Sequence, residues 1–156
     1  MHDETFLRRA IALSLANATS ANGGPFGAVV AMDGRILGEG ANRVTESRDP
    51  TAHAEVVAIR AACAALGTHD LAGAVIYTSC EPCPMCLAAI LWARIDRMVY
   101  ACSRQDAAAA GFDDAWFYEQ VALPVDRRAL PAERMLAEDG RKAFQAWIAN
   151  PDRVPY

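Results

Sequence analysis

The sequence predicts an α/β protein, a β-sheet with helices packed on its faces. Three observations carry that expectation. Strand-type runs at 26–31, 36–41, 74–78 and 97–102 alternate with helical segments through the first hundred residues. Two of those helical segments open on a proline, at Asp49-Pro50 and Cys83-Pro84, where a missing N–H is no loss. The chain has 156 residues, 53% hydrophobic and 22% charged, enough for a single domain spanning 1–156 to bury a core without staples.

The elements follow in order. Phe6, Ala10 and Leu13 share a face beside Leu7 and Ile11, which predicts an amphipathic first helix. The stretch 7–18, ending in Ala16-Asn17-Ala18, has the form of a signal peptide, but Asp3 and Glu4 stand where positive charge belongs. With Ser14 and Asn17 interrupting it, the expectation is a cytoplasmic chain. Asn22-Gly23-Gly24-Pro25 is a loop, and Asp33-Gly34 is a hairpin turn between the first two strands. Residues 45–49 read as polar loop. Asp49-Pro50 reads as a cap and first helical residue, predicting a helix over 51–66 that Gly67 ends. Cys83-Pro84 opens a second helix running to about Ala93. Beyond Gly111, residues 113–121 and 131–150 look helical, and 151–156 form a tail.

Charge and cysteine usage narrow the function. Fifteen Lys and Arg face 19 Asp and Glu, a net charge of -4 that counts against a dedicated nucleic-acid binder. No window approaches the ~18 apolar residues of a membrane span. The cysteines are Cys63, Cys80, Cys83, Cys86 and Cys102, an odd number with three clustered, which suggests a metal site rather than a disulfide framework. Cys63 and Cys102 read as small buried hydrophobes.

The informative residues are His53-Ala54-Glu55 and, further on, Pro82-Cys83-Pro84-Met85-Cys86. An imidazole and two thiolates are strong zinc ligands. Cys83 and Cys86 bracket a helix start, where unpaired N–H groups favour ionised sulfur. His53 is expected in the first turn of the other helix, so two helix starts face each other across the metal. No fourth ligand has suitable spacing: Cys80 lies on the strand side of Pro82, and His69 in a loop beyond the helix. Three protein ligands leave a position for water, whose pKa zinc brings toward neutrality. Glu55 is then the carboxylate that moves protons between this water and the substrate. Either half of the pattern alone is uninformative, whereas together they form the zinc-deaminase signature.

On these residues the chain resembles the cytidine and deoxycytidylate deaminase-like superfamily. Gly27-Ala28-Val29-Val30, Gly40-Ala41-Asn42-Arg43, Asp49-Pro50-Thr51-Ala52 and Thr78-Ser79-Cys80-Glu81 are similar to its purine-type branch, which includes tRNA adenosine deaminases and bacterial guanine deaminases. The resemblance implies a three-layer α/β/α fold with a five-stranded mixed sheet, one Zn2+ per subunit and a homodimer. Ala108-Ala109-Ala110-Gly111-Phe112-Asp113-Asp114 and Gln145-Ala146-Trp147 look most similar to the bacterial guanine deaminases. That implies a C-terminal segment, from about 131 to 156, exchanged between subunits so that Tyr156 closes the partner's pocket.

The implied reaction is hydrolytic deamination of guanine to xanthine and ammonia, with attack at the amine-bearing C2 and Glu55 as proton shuttle. Asn42 and Asp114 would pair with the edge of the base, and Phe26 and Trp92 would wall it. On spacing alone Asn42 reads equally as support for a turn, Asp114 as a helix cap, and Phe26 and Trp92 as core. The alternatives are a tRNA adenosine deaminase with the same ligands, and a non-catalytic zinc-stapled interaction module.

Overall fold

The fold was analysed in a computed structural model, which describes residues 2–20 and 22–156. Helix α1 (His2–Ser20) carries Asp3 and Glu4 in its first turn, where carboxylates complement the helix dipole. It is followed by the hairpin β1 (Gly27–Met32) and β2 (Arg35–Ala41). Asp33 and Gly34 both take positive φ, 51° and 74°, the tight turn that matches strand twist. A short helix α2 (Val44–Ser47) replaces part of the loop expected at 45–49. Then come α3 (Ala54–Leu66), β3 (Val75–Cys80), α4 (Pro84–Trp92) and β4 (Arg97–Cys102).

Among the described residues the sheet has four strands, in the order β2-β1-β3-β4, and this corrects the expected five. β1 pairs antiparallel with β2 and β3, while β3 and β4 run parallel around the α4 crossover, so the sheet is mixed. Downstream of β4 the chain has no β-branched run to extend the sheet. Instead Ser103 and Asp106 form a reciprocal capping box that starts helix α5 (Arg104–Ala109).

The two sheet faces are covered by different helices, giving the three α/β/α layers that the resemblance implies. On one side Phe6 and Ala10 of α1 pack against Val29, Ala31 and Tyr77. On the other, Ala28, Val30 and Ile76 meet Ala54, Ala58 and Ala62 of α3 and Ile90 of α4. The strict alternation along β1 assigns successive side chains to opposite layers. Tyr77 donates a hydrogen bond to Asp3 at 2.6 Å and Arg97 bonds the same carboxylate at 2.7 Å, tying the start of α1 to β3 and β4.

Helix α3 lies against β2 with almost nothing between them. A Cβ on Gly40 would stand 2.2 Å from the Ala54 carbonyl oxygen, and one on Gly38 would stand 2.3 Å from that of Ala58. Only glycine permits this approach. It fixes the height of the first turn of α3, and therefore of the residues that start it.

That start differs from expectation. Asp49 accepts the Thr51 N–H at 2.8 Å and the Thr51 hydroxyl at 2.7 Å, closing a turn rather than capping a helix. The helix begins at Ala54, with extended His53 as its cap residue. α4 begins where predicted, with Cys83 as cap residue and Pro84 in the first turn.

Two compact units make up the chain, Met1–Tyr118 and Glu119–Tyr156. Helix α6 (Asp114–Ala122) spans the boundary between them. In the second unit a turn at Val125–Arg127 precedes helix α7 (Ala137–Ala149). The helix expected over 131–150 is thus shorter, with 131–136 irregular. No helix among the described residues is long and apolar enough to cross a membrane.

Candidate active site

His53 and Cys83, the two cap residues, make no side-chain capping hydrogen bond. Each turns its side chain toward the other. His53 Nδ1 lies 3.6 Å from Cys83 Sγ and 3.5 Å from Cys86 Sγ, and all three donor atoms fall within 4.8 Å of one another. One nitrogen and two sulfurs converging this closely from two helix starts fit zinc, whose ligands surround the ion at ~2.0–2.3 Å. Within the cluster the Cys83 thiol is strongly acidified. The Cys86 S–H beside it and then the His53 ring hold it down to about 4, against the opposing effect of burial. Cys86, facing that thiolate, is pushed strongly upward.

Cys80 stays outside the cluster, as its position before Pro82 predicts. Its thiol donates to the Ser103 carbonyl at 3.4 Å, and burial raises it to about 11. Cys102, expected to be buried, is exposed because β4 is an edge strand of the four-stranded sheet.

Beside the cluster is a cavity of about 240 Å³, walled by His53, Cys83, Glu55, Asn42, Phe26 and Asp114 together with residues the sequence did not single out. Glu55, in the first turn of α3, is only 7% exposed, and burial raises its carboxyl above the usual range. Five predicted polar residues, His53, Cys83, Glu55, Asn42 and Asp114, are thus brought to one cavity. Cys86 stands behind them, fully buried, as the third donor.

Asn42 has the supporting role weighed for it, and it also lines the cavity. Its Oδ1 accepts the N–H groups of Gly24 and Val44, each at 3.3 Å, so it does support the loop. Two N–H donors on one amide oxygen also fix which way the amide points. The donor capacity of the Asn42 side chain is therefore its Nδ2 group. Asp114, half-buried at the start of α6, brings a carboxyl group to the same cavity, raised by burial and by the Cys83 charge.

Phe26 meets an unanticipated partner in Phe112, ring centroids 4.7 Å apart and nearly perpendicular. Gly111, at φ 93°, makes the turn that brings Phe112 to the wall. The signal for it was an aromatic directly after that glycine, within the motif that ends at Asp114. Val44, Thr45 and Glu81 also line the cavity. Glu81 ends the Thr78-Ser79-Cys80-Glu81 motif, but nothing local in the sequence marks Val44 and Thr45, whose approach depends on α2. Trp92 is not on this wall: it ends α4, 60% exposed, with the Arg94 guanidinium 5.8 Å from its ring centre. Tyr156 closes the second unit and is 73% exposed.

A buried carboxylate next to a two-cysteine, one-histidine cluster on facing helix starts is the arrangement of a zinc-dependent deaminase. The chain belongs to the cytidine and deoxycytidylate deaminase family, whose zinc-binding region matches residues 1–102. Within it, the chain is similar to the guanine deaminase of Bacillus subtilis, with 50% identity over 156 residues and 100% of both chains covered. The crystal structure of guanine deaminase from Bacillus subtilis superposes with a TM-score of 0.95 at 48% identity, over 98% of each chain. A tRNA-specific adenosine deaminase from Agrobacterium fabrum is 53% identical, but over 76 residues, 49% of this chain and 50% of the relative.

Proposed function

We propose that this chain is a guanine deaminase, converting guanine and water to xanthine and ammonia. One observation carries the reading: the cavity beside the metal cluster offers a fixed donor, Asn42, and an acceptor, Asp114. Guanine has the complementary edge, a C6 carbonyl acceptor and an N1–H donor. A site built to pair both groups rejects bases that leave either unpaired. The full-length similarity to a guanine deaminase supports the same substrate.

In this mechanism His53, Cys83 and Cys86 hold one Zn2+ per subunit. When bound, zinc supplies Lewis-acid activation of water near neutral pH. The protein's own residues do the rest. Phe26 and Phe112 wall the flat ring and restrict water at its faces. Asn42 donates to the C6 carbonyl and Asp114 accepts from N1–H, which places C2 toward Glu55 and the cluster. Glu55 takes a proton from water as the C2–O bond forms and passes it to N3. It then takes the proton of the new C2 hydroxyl and gives it to the C2 amine, which leaves as ammonia with the electrons of the broken C–N bond as the C2 carbonyl forms. Burial suits Glu55 to this work, since a raised pKa brings proton uptake and release closer to neutrality.

The second unit bears on assembly. None of residues 119–156 is buried, and Leu130, Leu136, Phe144 and Tyr156 are each more than two-thirds exposed. So large an apolar surface calls for a partner. The reading adopted is a homodimer in which the segment 131–156 packs on the second copy and Tyr156 closes that copy's cavity, the chain acting as one domain. Trp92 is left as an outer contact. The free thiols suit the reducing cytoplasm, and xanthine as product suits purine catabolism.

The competing reading, a tRNA adenosine deaminase, fits less well. A chain of net charge -4 gives an anticodon loop little electrostatic attraction. The test is ammonia release by the purified protein from guanine, adenine, cytosine and an anticodon stem-loop. Guanine turnover far above the others is expected. Equal or greater turnover of the stem-loop overturns the substrate.

A further inference from the structure

Resting on the guanine reading, we propose that Tyr118 is a positioning residue that sets where Asp114 stands, and so governs recognition of the base's N1–H. Tyr118 lies four residues after Asp114 on α6, one turn along the same face. Its hydroxyl donates to the Pro82 carbonyl at 2.7 Å. Pro82 is fully buried and directly precedes the ligand Cys83, so this bond ties the acceptor's helix to the metal-binding segment. The ring is clamped from its other side: the Arg104 guanidinium carbon stands 4.9 Å from the ring centre. The Arg104 backbone N–H donates in turn to Glu81 at 3.1 Å, and Glu81 is the residue before Pro82. A closed circuit therefore runs from Glu81 through Arg104 and Tyr118 back to Pro82.

The circuit gives Asp114 a reference that its own loop does not. Asp114 follows Gly111, at φ 93°, and Asp113 is exposed. A helix of nine residues has little stiffness at its first turn, where the N–H groups lack helical partners. The Tyr118 bond anchors that helix one turn in. Without it the ring and the Arg104 contact remain, but the helix can slide along the Pro82 carbonyl. Displacement of an oriented group by about 1 Å is enough to weaken recognition severely.

The test is a double-mutant cycle of Tyr118→Phe and Asp114→Asn, read as KM and kcat for guanine, with zinc content and Tm beside them. Tyr118→Phe is expected to raise KM about tenfold, the scale of one lost hydrogen bond, with kcat within about twofold. In the Asp114→Asn background the same change is expected to have an effect below about twofold, because the group it positions is already altered. Zinc stays at one per chain throughout. Equal losses in both backgrounds, no loss in the otherwise native protein, or zinc loss on Tyr118→Phe each overturn the proposal. An unsubstituted protein inert toward guanine defeats the reading of the site, and the selective role with it. An active one with an additive cycle defeats the positioning role alone.

Discussion

Gly40→Ala places a methyl group where the start of α3 already stands. The new Cβ would lie 2.2 Å from the Ala54 carbonyl oxygen, 2.7 Å from the Ala58 nitrogen and 3.0 Å from the Val57 Cβ. Carbon and oxygen need roughly 3.3 Å, so the helix must move by about 1 Å, and backbone atoms have no rotamer to escape through. Overpacking of this kind costs about 1–3 kcal/mol. Ala54 sits between His53 and Glu55, so the same shift moves a zinc ligand and the proton shuttle together. Near-attack geometry lost by ~1 Å lowers rate by roughly 10²-fold. Thermal melting, zinc content and ammonia release from guanine are measured on the same preparation. The expected result is a lower Tm and guanine turnover reduced by about two orders of magnitude. Native melting with native turnover refutes the argument that β2 sets the height of α3.

Two further outcomes concern the edges of the molecule. The Arg97 guanidinium, and after it the Tyr77 hydroxyl, hold the Asp3 carboxyl down to about 2 from 3.8. A depressed carboxyl stabilises the fold fully above its unfolded pKa and loses that contribution as pH falls through the folded value. The stability gap between the native chain and Asp3→Asn, measured by urea unfolding, is therefore constant above pH 4 and closes between about pH 4 and 2. A gap that ignores pH contradicts the linkage. Deleting 154–156 is expected to lower guanine turnover while zinc stays near one per subunit. Unchanged turnover removes the tail from the active site.

The metal cluster and Glu55 were legible in the sequence because two short motifs pair, the second of them at a helix start that Pro84 marks. His53, Cys83, Cys86 and Glu55 needed no long-range information beyond the pairing of two short motifs. The start of α3 was misplaced because Asp49-Pro50 has the form of a helix opening, while the Asp49 carboxylate actually closes a turn on Thr51. Asn42 was recognisable as polar and near the site, but whether it donates or accepts depends on Gly24 and Val44, 18 and two residues away. Phe112 and Glu81 stood inside motifs that the resemblance rested on, whereas Val44 and Thr45 reach the cavity through tertiary packing, which leaves no period or spacing to read. The fifth strand came with the family resemblance, and the residues after Cys102 cap a helix instead.

Glu55→Gln tests the central claim most directly, because it removes the proton shuttle while leaving all three metal donors in place. Zinc content and guanine turnover are measured side by side on the substituted and native proteins. The account predicts one zinc per chain in both, with turnover reduced by about 10²–10⁴-fold in Glu55→Gln. Native turnover in Glu55→Gln, or full turnover in protein stripped of its zinc, contradicts it.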